Sequence, residues 1–65
     1  MIFWALTYTC YGCKYYAQFI DGKWVLNGLL DNAYRFRMEK DARTARFLVE
    51  KQVTPTLEIE KFSTT

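Results

Sequence analysis

The feature that most constrains this chain is a change of hydrophobic period near residue 38. Before it, polarity alternates residue by residue. After it, apolar residues return every three or four positions. Alternation marks a strand with one face buried, and the longer period marks an amphipathic helix. A chain that runs through several strands and then one helix buries both patterns by laying the helix across one face of a sheet.

From Ile2 to Cys10, the side chains of Ile2, Trp4, Leu6, Tyr8 and Cys10 share one phase, and Phe3, Ala5, Thr7 and Thr9 the other. Tyr11-Gly12 supplies a tight turn, because glycine accepts positive φ without steric cost. Lys14 to Ile20 alternates again, with Tyr15, Ala17 and Phe19 opposite Lys14, Tyr16 and Gln18. Asp21-Gly22 is the strongest hairpin signal in the chain, and Lys23 to Leu26 reads as a third strand. Asn27-Gly28 interrupts, and Leu29 to Asn32 reads as a loop. Ala33 to Met38 reads as a fourth strand, with Tyr34, Phe36 and Met38 on one face and Arg35 and Arg37 on the other.

Ala42, Ala45, Leu48, Val49 and Gln52 then define a helix from about Glu39 to Lys51. Glu39 and Asp41 lie in its first turn, where the helix dipole favours anions. Glu39–Arg43 and Arg46–Glu50 are i,i+4 pairs. Thr54-Pro55 ends the helix. Thr56 to Phe62 is a last strand, with Leu57 and Ile59 inward and Glu58 and Glu60 outward. The expected fold is one α+β domain over residues 1–65: an antiparallel sheet of four or five strands, in the order ββββαβ, with a single amphipathic helix on one face. Leu6, Phe19, Phe36, Ala45, Leu48 and Ile59 are the expected core.

A chain of 65 residues buries only about 60% of its unfolded surface, so large side chains must carry much of its stability. Aromatic residues make up 18% of this one, and each buried ring removes roughly 150–250 Å² from water. The apolar start, Met1 to Leu6, lacks a basic n-region and is soon followed by Thr7 and Thr9, unlike a signal peptide. No apolar run approaches the ~20 residues of a membrane helix. A cytoplasmic protein without a membrane partner is the expectation.

Between Tyr15 and Ile59 the chain shows an aromatic strand, a glycine turn, a second strand, an A-x-x-F segment and an acidic helix start. The residues are Tyr16, Gly22, Trp24, Ala33, Phe36, Asp41 and Ala42. This pattern resembles that of small orphan proteins encoded by phages and prophages. It departs from them at Met38, where a Ser or Thr cap is usual. The group has no common activity. The resemblance implies an accessory product acting on host machinery, and assigns no residue a role.

Chemistry is sparse. With no histidine the commonest proton shuttle is missing, and no catalytic residue is assigned. Cys10-Tyr11-Gly12-Cys13 is the one motif with metal-ligand spacing, but zinc needs four ligands and the chain offers two cysteines and no histidine. The pair reads as two reduced thiols flanking a hairpin, with zinc bridged between two chains or a labile disulfide as the alternatives. No cofactor and no metal are expected. Glu58 and Glu60 read as a solvated face.

Two surfaces remain. The aromatic excess points to a protein-binding module that modulates or inhibits a host protein, or self-associates as a homodimer. Its expected interface is Phe3, Trp4, Tyr8 and Tyr11, because the first strand is apolar on both faces and is expected at a sheet edge. The alternative is a nucleic-acid-binding face built from Arg35, Arg37, Arg43 and Arg46, extended by Lys14 and Lys23 and with Tyr11 or Tyr16 as stacking surfaces. A net charge of +2 gives that reading weak support.

Overall fold

The computed structural model describes residues 1–53 and 55–64. Four strands form one antiparallel sheet: β1 (Ile2–Cys10), β2 (Cys13–Ile20), β3 (Lys23–Asn27) and β4 (Glu58–Ser63), in the order β3-β2-β1-β4. One helix, α1 (Glu39–Gln52), precedes β4, and Leu30–Asn32 forms a single 3-10 turn after β3. The expected small α+β fold is therefore present. The helix stop at Thr54-Pro55 falls partly outside the described residues.

Both hairpins close through two-residue turns with positive φ at each position: 50° and 80° at Tyr11-Gly12, 50° and 76° at Asp21-Gly22. That combination matches the type I′ turn, whose twist suits antiparallel strands. The turns fix the register. Cys10 faces Cys13 and Tyr8 faces Tyr15 across the first hairpin, and Phe19 faces Trp24 across the second.

β1 lies inside the sheet, paired with β2 on one side and β4 on the other. This corrects the edge placement. Its apolar residues on both faces are what an interior strand covered on both sides requires. Trp4, Leu6 and Tyr8 face α1, packed with Ala17, Phe36, Ala42, Val49 and Leu57. Phe3 and Ala5 face away from α1 and are covered by Ala33, Leu30, Tyr16 and Phe62. The Phe3 and Phe62 rings stack at 5.4 Å.

Ala33 to Met38 is not a full strand. β1 pairs with β2 only from Thr7 to Cys10, leaving the first half of that edge open. Phe36 enters the gap as a single bridge to Trp4, with two backbone hydrogen bonds of 2.8 Å, and the Tyr34 N–H donates to the Ala17 carbonyl. The segment thus satisfies backbone groups that the diverging strands would otherwise strand in the core. Phe36 joins Trp24 and Tyr34 in an aromatic cluster, with Tyr34 4.7 Å and Trp24 6.3 Å away.

The helix buries Ala42, Ala45 and Val49 of the expected stripe but not Leu48 or Gln52. Ala42 and Val49 are buried, with Ala45 and Val53 partly so, whereas Leu48 is 57% and Phe47 65% exposed. Each residue turns a helix by about 100°, so Leu48 and Val49 lie on opposite flanks of the stripe, and here the narrow contact line runs through Ala42, Ala45 and Val49. The small Ala42-Ala45-Val49 stripe lets α1 approach the bulky Trp4, Phe36 and Leu6 closely. Phe19, also expected in the core, is 48% exposed, lying at the hairpin end against Trp24. Of the remaining expected core, Leu6 and Phe36 are buried, and Ala45 and Ile59 pack against them. Met38, at the helix N-cap, makes no side-chain capping bond.

Candidate functional site

The two-residue turn at Tyr11-Gly12 and the alternation of β1 and β2 put Tyr8, Cys10, Cys13 and Tyr15 on the α1 side of the sheet, at the end α1 does not cover. There a cleft of about 510 Å³ opens, lined by Tyr8, Cys10, Tyr15, Leu26 and Pro55. Leu26 reaches it from β3, and Pro55 from the segment leading to β4. Tyr8 and Tyr15 stack at 6.2 Å as a cross-strand pair. Tyr11, at the adjacent turn, is fully exposed. The Tyr8 phenol is held above its ordinary value, first by side-chain hydrogen bonding with Cys10 and then by the charge that Cys10 carries once ionised.

The segment entering β4 is fixed by a carboxylate. Leu57 donates its backbone N–H to Glu50 Oε2 at 2.7 Å, so the last turns of α1 hold the chain that returns past the cleft. At the β3 edge, the Trp24 N–H donates to Gln52 Oε1 at 3.1 Å, which closes one outward backbone donor. Two further carboxylates are occupied structurally. Glu60 accepts from Lys14 Nζ at 2.8 Å and from Thr7 Oγ1 at 3.2 Å. Glu39 pairs with Arg43 one helical turn on. The Lys14 ammonium is raised above its ordinary value, first by its hydrogen bond to Glu60. Among the described residues, no three His, Cys, Asp or Glu side chains gather where they could hold a metal ion.

The expected interface set is divided. Tyr8 lines the cleft and Tyr11 stands at its end. Phe3 is 2% exposed on the opposite face, so it has no surface to offer a partner. Trp4 is half-buried under the α1 side, with Lys61 Nζ 5.9 Å from its ring centre. Tyr15, Leu26 and Pro55 line the cleft but lie outside the set the sequence points to. The first two follow from counting outward from the Tyr11-Gly12 and Asp21-Gly22 turns.

The four arginines do not form one face. The Arg35 guanidinium lies 4.7 Å from the centre of the Phe3 ring, on the side of the sheet away from α1. Arg43 and Arg46 belong to α1 on the other side, Arg43 neutralised by Glu39 and Arg46 half-buried. Arg37 is exposed between Phe36 and α1. Lys14 shares the Arg35 side but is paired with Glu60.

The chain matches no protein-family model, no curated protein and no solved structure. No described helix is long and apolar enough to cross a membrane.

Proposed function

We propose that this domain is a non-catalytic protein-binding module that holds an apolar segment of a partner protein in the cleft between Tyr8, Tyr15, Leu26 and Pro55. The observation that carries this reading is the cleft itself: open to solvent, about 510 Å³, and walled by two stacked tyrosines and aliphatic side chains. Its volume falls in the usual range for binding sites, and tyrosine is among the residues that dominate binding energy in interfaces. Fully exposed Tyr11 extends the aromatic surface past the cleft's end. The missing histidine and the structural use of Glu39, Glu50 and Glu60 support binding over catalysis. The resemblance to phage accessory proteins makes a host protein the first class of partner to test.

The test is selection of binding peptides from a random displayed library, followed by titration at several salt concentrations. The reading expects peptides with a large apolar residue, affinity lost on Tyr15→Ala and kept on Arg35→Glu, and little dependence on salt. Binding that falls steeply with salt and is lost on Arg35→Glu would instead indicate phosphate-type recognition and overturn the proposal. Circular dichroism of each variant separates lost binding from lost folding.

A further inference from the structure

We infer that Cys10 and Cys13 form a reversible dithiol–disulfide pair at the cleft, oxidised by small disulfides of the glutathione class, and that the change alters what the cleft holds. The second clause rests on the binding role proposed above; the first does not.

The geometry is set by the turn. Cys10 and Cys13 are direct cross-strand partners, so their side chains share a face and their Cα atoms stand about 4.5–5.5 Å apart. A disulfide needs roughly 4.4–6.8 Å between Cα atoms and about 3.5–4.5 Å between Cβ atoms; directly opposed Cβ atoms stand about 4.5–5.5 Å apart, so closure requires only a local shift of about 1 Å at the turn. Both cysteines are free thiols. Positive φ at Tyr11 and Gly12 fixes the turn between them, and so the rung persists in either state. The chain has no other cysteine and no histidine, which favours closure between the two sulfurs over a four-ligand metal site within one chain.

The two thiols are not equivalent. Cys13 is exposed, whereas Cys10 is half-buried and lines the cleft beside Tyr8. The exposed Cys13 is the thiol a reagent reaches first. Its thiolate attacks one sulfur of oxidised glutathione, the S–S bond of the reagent breaks, and one glutathione thiolate leaves. The Cys10 thiolate then attacks the Cys13 sulfur of the mixed disulfide and expels the second glutathione. Two protein thiols and one small disulfide become one protein disulfide and two small thiols. Two electrons pass to glutathione, and the two protons lost by the cysteines end on the leaving thiolates.

Closure turns the Cys10 sulfur toward Cys13 and removes its ionisable thiol from beside the Tyr8 hydroxyl. The wall of the cleft changes shape, and Tyr8 loses the neighbour that holds its phenol high. Alkaline titration of tyrosine absorbance therefore reports the switch without any ligand: one phenol should ionise at lower pH after oxidation.

The experiment incubates the full chain in graded mixtures of reduced and oxidised glutathione, quenches with acid, and reads intact mass and peptide maps. The expected product is a monomer lacking two hydrogens, linked Cys10 to Cys13 and reversed by reduced glutathione. Cys10→Ser should accumulate the mixed disulfide at Cys13, and Cys13→Ser should react roughly ten-fold more slowly, because its remaining thiol is less accessible. Persistent mixed disulfide on the unaltered chain, covalent dimers, or thiols protected until a zinc chelator is added would each overturn the pair. If the disulfide forms but a cleft-binding peptide binds the two states equally, control of the cleft is overturned and the thiol chemistry stands. Failure of the binding reading itself appears separately, as peptides that never map to the cleft.

Discussion

Val49→Ala and Leu48→Ala, adjacent and chemically similar, should differ several-fold in their effect on stability. Val49 is fully buried between α1 and the sheet, whereas Leu48 is 57% exposed. Truncating Val49 removes two methyl groups from the core, worth about 1.6 kcal/mol at ~0.8 kcal/mol per group. A cavity of a few tens of Å³ adds up to about 1 kcal/mol at ~24 cal/mol per Å³. The total, about 2–2.5 kcal/mol, is a large part of the roughly 3–10 kcal/mol that a chain of this length holds. At ~4–8 °C per kcal/mol the midpoint should fall by roughly 10–20 °C. Leu48→Ala should cost no more than about 0.5 kcal/mol, since it deletes mainly solvated surface and gains slightly in helix propensity. Urea unfolding followed by far-ultraviolet circular dichroism gives both values. Equal costs, or a larger cost for Leu48→Ala, would show that α1 is rotated about its axis relative to the packing described.

Gly22→Ala should destabilise by about 1–2 kcal/mol through the positive φ of 76°, since no atom crowds the added methyl; denaturant midpoints measure this, and no loss would argue against the type I′ turn. Glu50→Ala should cost about 1–3 kcal/mol by leaving the part-buried Leu57 N–H unpaired, with amide exchange at Leu57 accelerated well beyond that of the strands. The Lys14–Glu60 contact raises the Lys14 value. Its stabilisation is therefore fully present below the unfolded lysine value and is lost as pH rises through the higher folded one. The stability difference between the unaltered chain and Lys14→Met should accordingly vanish at strongly alkaline pH. A difference that persists there would mean that the charge does not matter.

Period and turn chemistry make the sheet, the hairpins and the helix bounds legible in the sequence. Two-residue turns allow one register only, so Tyr11-Gly12 and Asp21-Gly22 specified every pairing of β1 with β2 and of β2 with β3. Helix phase was less legible because Leu48 and Val49 are both apolar neighbours. The small residues Ala42 and Ala45 decide between them, since they admit the close approach to Trp4 and Phe36. The apolar residues on both faces of β1 suggested an exposed, sticky edge, but the same pattern marks an interior strand, and strand order is a long-range property that alternation does not encode. Ala33 to Met38 alternates well enough for a strand, yet the splay of β1 from β2 leaves room for one bridge only. In the candidate site, Tyr15 and Leu26 could be found from the hairpin registers. Pro55 could not, because its place depends on how α1 and Glu50 return the chain to the sheet.

The cleft reading is tested most directly by two-dimensional amide NMR of the isotopically labelled domain, titrated with a peptide selected for binding. The account predicts shifts concentrated at Tyr8, Cys10, Tyr15 and Leu26, with the exposed Phe47 and Leu48 side of α1 and the Arg35 side of the sheet unchanged. Shifts centred on Phe47 and Leu48, or on Arg35 and Arg37, with Tyr8 and Tyr15 unmoved, would contradict it.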